Sequence, residues 1–356
     1  MPPVRVLHVC QSLGLGGTEK TLQYFVEHLD KEAFDPAVFA FSDGERGKAI
    51  RAAGIDTFIG KDLFSFLVRI QPDIIHVHRA GSPNRKVLIP IQLYQPKVLV
   101  ETNVFGRYDP TPLAQMIDCH LYVSHFCLDR LINGLNREFD PFKHRVLYNP
   151  VDTDLFRILV PGHQFSNPIV GRVSRADLGK WSTLVYEFLP RIIAQRSDIQ
   201  FRVVGATKEF EAFVKNRGLS HHVILHKPLV SDMALAVFLG GLSVFAHAND
   251  SGESFGMVIA EAMACGLPVI THPAREDRDN AQLELVEDGK TGFVVNTAED
   301  YAHAILWLLN RPDQARLLGE AGRAKAARLY RVQNIVRQLE DVYHELLEKK
   351  KAQRIL

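Results

Sequence analysis

The chain has 356 residues, with 42 Lys+Arg against 41 Asp+Glu and a formal net charge of +1; at roughly 100 to 200 residues per domain, this length makes two domains with full cores. A hydrophobic fraction of 46% and a charged fraction of 23% exclude disordered, fibrous and membrane-bundle chains. A charge balance this close to zero excludes a nucleic-acid binder that works by bulk attraction, so any polyanion must be met by a local cluster of cations.

Short β-branched or apolar runs alternate with stretches of helical periodicity, the pattern of parallel sheets built from βαβ units. The first series predicts strands over Val4–Cys10, Ala37–Phe41, Thr57–Ile59, Ile74–His78, Lys97–Glu101, His120–Val123 and Arg145–Leu147, with helices such as Thr18–Leu29 and Leu63–Ile70 between them. Asn149–Asp154 and Pro161–Pro168 are turn-rich and weakly periodic, which places a domain boundary near residue 160. A second series then predicts strands over Ile169–Val173, Phe201–Val204, Val223–Leu225, Leu242–Ala246, Pro268–Thr271 and Gly292–Val295, with helices over Trp181–Gln195 and Phe255–Cys265. Ala298–Lys349 reads as mostly helical. The expected fold class is α/β, two doubly wound domains facing a central cleft, with the site at the carboxyl ends of the strands.

Cys10, Cys119, Cys127 and Cys265 are too widely spaced for C-x-x-C pairing, which fits reduced thiols in a cytosolic chain. The first residues lack the pattern of a signal peptide and no window approaches the roughly 18 apolar residues of a membrane span, so a cytoplasmic location is expected. Arg85–Ile89 is basic and apolar enough to touch an anionic membrane, with amphipathic packing as the alternative.

Two segments carry chemistry. The first strand runs into Gln11–Lys20, where Gly14, Gly16 and Gly17 open a helix whose N–H groups favour a phosphate or other anion. A dinucleotide fingerprint would need Gly where Glu19 stands, and an NTPase loop would need Gly immediately before Lys20. A tight turn that uses Gly only for its dihedrals is an equal alternative. In the second segment, Asn249–Val258, a polar loop opens a helix, and the N–H groups around Phe255, Gly256, Met257 and Val258 lack helical partners. Glu253 precedes them, and Glu261 lies two turns on, roughly 80° from eclipse in an ideal helix. Two carboxylates suit ligand hydroxyls and free N–H groups suit phosphate, which is the layout of a nucleotide sugar. The alternative is one Glu favoured at a helix N-terminus plus one surface Glu.

Glu253 to Glu261 resembles the E-x7-E motif of retaining glycosyltransferases of family 4, and the run Glu261–Val269 is similar to that family almost letter for letter. Gly16-Gly17-Thr18-Glu19, His76-Val77-His78, Asn149-Pro150-Val151-Asp152, and Gly171-Arg172 followed by Lys180 match in order and approximate spacing. The resemblance implies a GT-B architecture of two Rossmann-like domains: residues 1–160 on the acceptor side, 161–335 binding the donor, and 336–356 forming a helix that crosses back to the first domain. It implies that Arg172 and Lys180 bind the diphosphate, with Arg175 as second candidate, and that Glu253 and the Phe255–Met257 backbone take the sugar hydroxyls. Glu261 takes the ribose, Val258 N–H lies near the phosphates, Gly16 and Gly17 border the donor, and the base lies near Gly205 and the His226-Lys227-Pro228 turn. His78 sits near the reacting centre, with His76 as a satisfied core residue. Thr18 and Asn103 lie on the acceptor side; Thr102-Asn103 stands where many members have a second histidine.

The family's glycines are replaced within Arg275–Gln282, although Glu284 is in place. Asp152–Asp154 and Asp277–Asp279 look unlike a metal site, so no metal is expected. The implied reaction moves a hexose-type sugar from a nucleoside-diphosphate sugar to a hydroxyl of a glycan, lipid-linked sugar or small molecule, with retention. The rivals are a nucleotide-sugar epimerase and a non-catalytic sugar-nucleotide-binding subunit.

Overall fold

A computed structural model describes residues 2–135 and 140–355. The chain divides into two compact units, Met1–Pro150 with Val332–Leu356, and Val151–Arg331. The first unit holds the strands β1 (Val4–Ser12), β2 (Phe34–Ser42), β3 (Asp56–Ile59), β4 (Ile74–Arg79), β5 (Val98–Asn103), β6 (Cys119–Tyr122) and β7 (His144–Val146), in the order β3-β2-β1-β4-β5-β6-β7. The second holds β8 (Ile169–Val173), β9 (Gln200–Val204), β10 (Val223–His226), β11 (Val244–Ala246), β12 (Val269–Thr271) and β13 (Gly292–Val294), in the order β10-β9-β8-β11-β12-β13. Every pairing is parallel. Strand order reverses between β1 and β4 and again between β8 and β11, and these switch points are where loops diverge and leave room for a ligand.

The division falls ten residues before the boundary expected near 160. The helix Thr153–Leu159 belongs to the second unit because Phe156 and Val160 are buried there, Val151 N–H donates to Tyr330 O at 2.7 Å, and Asp154 pairs with Arg331 at 2.7 Å. The last helix starts at Val332 rather than 336 and runs unbroken to Ile355. Val332, Ile335, Val336, Leu339, Val342, Tyr343 and Leu346 form its buried stripe, spaced as an amphipathic helix requires. Its polar flank is tied to the first unit by Glu340, which accepts from Asp30 N–H at 2.8 Å, and by the Arg145–Glu345 pair. Arg85–Tyr94 is also amphipathic: Asn84 caps it, Val87, Leu88 and Ile91 are buried, and the Lys86 ammonium lies 3.8 Å from the Phe41 ring centre.

All of β4 is buried, including its three polar residues. Register then sorts them onto two faces, because paired residues on parallel strands point the same way. His8 pairs with His76, and His78 with Thr102, on one face. Arg79 pairs with Asn103, while Glu101 pairs with His120, on the other. The first unit thus carries a polar layer on each side of its sheet, and each layer must satisfy itself or leave atoms for a ligand.

Candidate functional site

In the second unit the switch strands β8 and β11 feed two loops that meet. Leaving β11, Asn249 folds its own loop: its Oδ1 accepts from Ser251 N–H (3.0 Å) and Oγ–H (2.8 Å), and its Nδ2 donates to Gly252 O (3.1 Å) and to Glu253 Oε1 (2.7 Å). Gly252 is required here, since φ is +64° and a Cβ would stand 1.5 Å from Asp279 O. Glu253 is fixed at both ends. Its N–H donates to Gln282 Oε1 (3.0 Å), its carbonyl accepts from Ala281 N–H (2.9 Å), and its carboxylate meets Lys180 Nζ at 3.2 Å and His247 Nε2 at 3.3 Å. Gln282, fully buried, and Asn280, which bonds both backbone groups of Ala274, hold the neighbouring loop to this one. The segment in which the family's glycines are replaced therefore fastens Glu253.

Burial alone would raise the Glu253 pKa, but the His247 hydrogen bond and the Lys180 charge outweigh it and hold the carboxyl at about 2. A carboxyl depressed from its ordinary 4.5 contributes stability that is full above 4.5 and is lost as pH falls towards 2. Acid unfolding of the wild type is therefore expected to take up about one more proton in that window than Glu253→Gln. Equal slopes of stability against pH for the two proteins would contradict this.

The helix Met257–Cys265 starts after Gly256, whose φ is +104°. Met257 and Val258, in its first turn, have no acceptor one turn back, and Phe255 and Gly256 are buried beside them. Because Glu253 lies on the loop, the ideal-helix angle to Glu261 does not apply; Glu261 is buried on the helix itself. His272 Nε2 accepts from Asn249 N–H at 3.0 Å while its Nδ1 faces Pro273 O, and burial lowers the pKa of both His272 and His247.

Arg172 is held by contacts within the second unit. It is 2% exposed, its guanidinium lies 4.3 Å from the Trp181 ring centre, and it donates to Ala248 O and Lys180 O, one carbonyl from each loop. Burial lowers its pKa to about 10, so it stays charged at neutral pH. Arg172 holds the two loops together while the Lys180 side chain, a quarter exposed, presents its charge beside Glu253. Arg175 is exposed on the same loop. Gly205 has φ +79° and a Cβ there would meet Ser174 O at 1.9 Å, so this glycine lets the β9 and β8 loops touch; its carbonyl accepts from Trp181 Nε1 at 3.1 Å. Lys227 is exposed just past β10, the edge strand of the second sheet.

In the first unit Gly16 caps the helix Gly17–His28, which Thr18 continues. Gly14, Gly16 and Gly17 are absent from the positive-φ residues, so dihedral freedom is not their reason. A Cβ on Gly16 would stand 2.1 Å from the Glu19 carboxylate, which accepts from Ser12 Oγ at 3.0 Å. His76 is a satisfied core residue, bonded to Tyr343 Oη (2.6 Å) and Thr102 Oγ1 (2.8 Å). His78 Nε2 meets His8 Nδ1 at 3.0 Å, and burial lowers the His78 pKa to about 3, leaving the ring neutral. Asn103 is buried and donates to Arg107 O at 2.9 Å. On that face a cavity of about 250 Å³ is lined by Arg79, Glu101, Asn103, Asp109, His120 and His144 among others. Arg79 pairs there with Glu101 (2.7 Å) and Asp109 (2.8 Å), and Glu101 also takes His120. His8, His247, Asn249 and Gln282 were not singled out as site residues; polar residues beside otherwise apolar strands are the signal that marks the first two.

Two doubly wound units in one chain, with polar loops gathered at the switch strands, define the GT-B class of glycosyltransferase fold. The crystal structure of Anabaena Alr3699/HepE in complex with UDP has this fold, with a TM-score of 0.78 over 96% of this chain and 100% of that one at 20% identity. Residues 161–325, in the second unit, match the family described as glycosyl transferases group 1. A phosphatidyl-myo-inositol mannosyltransferase of Mycobacterium leprae (strain TN) is 32% identical over 46% of this chain and 42% of its own length. A D-inositol 3-phosphate glycosyltransferase of Arthrobacter sp. (strain FB24) is 30% identical over 47% of this chain and 39% of its own. The chain thus spans less than half the length of these curated relatives. No helix among the described residues is long and apolar enough to cross a membrane.

Proposed function

We propose that the protein is a retaining, metal-independent glycosyltransferase that moves a hexose-type sugar from a nucleoside-diphosphate sugar to an acceptor hydroxyl. The observation that carries this reading is the Lys180–Glu253–His247–Asn249 cluster at the switch strands of a unit that matches the glycosyl transferases group 1 family. An ionised, fixed carboxylate accepts hydrogen bonds from sugar hydroxyls, so Glu253 and the Phe255–Met257 backbone orient the sugar. Glu261 takes the ribose hydroxyls, and Val258 N–H and Lys180 take the diphosphate, with Arg175 in reach of the same group and Arg172 acting through the loops it joins. Preorganised positive charge stabilises the leaving diphosphate without a metal. In the same-face route we favour, the departing phosphate oxygen accepts the acceptor proton. The first unit, through Thr18 and Asn103, holds the acceptor, a glycan, lipid-linked sugar or small molecule, and His78 lies near the reacting centre against the donor sugar or the acceptor. A cytoplasmic location, with or without peripheral membrane contact, belongs to the same reading, as do the assignments of residues 1–160 and 161–335 to acceptor and donor.

Thermal-shift screening across UDP, GDP and their sugars tests it. A bound ligand at about 100 times its Kd is expected to stabilise by about 2.7 kcal/mol, and Glu253→Ala is expected to abolish transfer more than it weakens nucleotide binding. Normal turnover with weakened nucleotide affinity would exchange the roles of Glu253 and Glu261. Conversion of donor alone into an isomeric sugar would make the protein an epimerase, and no stabilisation by any nucleoside diphosphate would overturn the reading.

A further inference from the structure

The polar layer that His8, His76 and His78 form on one face of the first sheet is larger than a single histidine near a substrate needs. Its bonds form one line: Thr102 Oγ1 to His76 Nε2 (2.8 Å), His76 Nδ1 to Tyr343 Oη (2.6 Å), Tyr343 Oη to His8 Nε2 (3.5 Å), and His8 Nδ1 to His78 Nε2 (3.0 Å). His78 Nδ1 ends it, buried and without a hydrogen-bond partner among the described residues. The four ring-bearing members come from β1, β4 and the last helix, and His8, His76 and Tyr343 are fully buried.

A neutral imidazole donates from one nitrogen and accepts at the other, so the direction of any one bond in such a line sets the rest. Bond length gives that direction. Contacts of 2.6 Å suit O–H donation and fall below the usual N–H···O range, so the Tyr343 hydroxyl donates to His76 Nδ1. His76 Nε2–H then donates to Thr102, and Tyr343, its proton spent, accepts from His8 Nε2–H. His8 Nδ1 is left as an acceptor for His78 Nε2–H. We infer that Tyr343, His76 and His8 form a hydrogen-bond relay that fixes His78 as its Nε2–H tautomer, so that Nδ1 offers only a lone pair and selects a ligand hydroxyl. Phosphate, carboxylate and carbonyl oxygens, which have no proton to donate, are rejected at this position. Tyr343 is a positioning residue, 335 positions from His8 in sequence.

The same rings offer ligand atoms within 4.8 Å of one another, which raises a metal site as the rival. His8 Nδ1 and His78 Nε2 face each other at 3.0 Å, whereas two imidazoles on one tetrahedral zinc stand roughly 3.3 Å apart with both lone pairs aimed at the ion. His76 has both nitrogens in use.

The inference rests on the proposed function only for what the hydroxyl belongs to. Long-range 1H–15N spectra of the histidine rings in the full chain test the relay without substrate. His78 is expected as a single Nε2–H tautomer in the wild type and as a mixture in Tyr343→Phe, which keeps the volume of the ring; Thr102→Val, at the far end of the line, gives a second route to the same loosening. Saturating UDP-glucose is expected to move the His78 Nδ1 signal in the direction of an accepted hydrogen bond, and to move it less in Tyr343→Phe. A wild-type His78 protonated on Nδ1, or a tautomer unchanged in both variants, would overturn the relay whether or not the protein transfers sugar. One equivalent of zinc retained through purification and lost in His8→Ala would replace it by a metal site. A His78 Nδ1 signal unmoved by UDP-glucose, by UDP and by glucose would overturn the selection of a hydroxyl.

Discussion

Arg172→Met is expected to destabilise the protein by about 3 to 4 kcal/mol, because one buried and one partly buried carbonyl, each worth about 1 to 3 kcal/mol when left unpaired, lose their donor together. For a unit of this size that lowers the melting temperature by about 10 °C. The two carbonyls are those of Ala248 and Lys180, and the methionine fills most of the volume over Trp181 without supplying either hydrogen bond. Arg172→Lys restores little, since a single ammonium lacks the planar fork that reaches both carbonyls while lying on the indole. Urea unfolding of the three proteins measures the effect. A phosphate ligand at the surface of a binding site would behave in the opposite way, with activity lost and stability kept. That outcome would return Arg172 to the role its place in the sequence suggested.

Lys180→Ala gives the complementary pattern. Its ammonium is a quarter exposed and pairs with a carboxylate that His247 and Asn249 also hold, so the fold loses little, and a melting temperature within about 3 °C of wild type is expected. Removing one preorganised charge from a leaving group costs about 100-fold or more in kcat, and steady-state kinetics with the donor identified by thermal shift measures it. The Glu253 pKa rises in this variant, because the Lys180 charge is one of the causes that depress it. A kcat/KM within about twofold of wild type would remove Lys180 from the diphosphate.

The parallel strands were legible because strands buried on both faces read as continuous apolar runs. Each of the runs named in the sequence became a strand, and only the ends moved, as where β2 begins at Phe34 rather than Ala37. The loop before Met257 was legible because Asn, Asp, Ser and Gly between a strand and a helix mark a turn. The orientation of Arg172 was not legible. Trp181 and the carbonyl of Ala248, 76 residues away, decide where its guanidinium goes, and neither carries a local signal. His8 sits within an apolar run and takes meaning only from Tyr343 at the other end of the chain. Gln282 read as a departure from the family, yet its amide oxygen supplies the acceptor for Glu253 N–H, a role set by loop geometry that spacing does not encode.

The second unit is continuous in sequence, whereas the first is completed only by the helix that begins at Val332. On the ribosome, the seven strands of the first unit emerge before anything else, yet the face bearing His8 and His76 stays open until Tyr343 has been made. Nearly two hundred residues of later synthesis separate Pro150 from that closure, so the unit whose translation starts first is the last to have all its residues available. A nascent chain stalled anywhere in that interval has all seven strands but an apolar sheet face without its covering helix, and loss of the final helix uncovers the unit at the opposite end of the message.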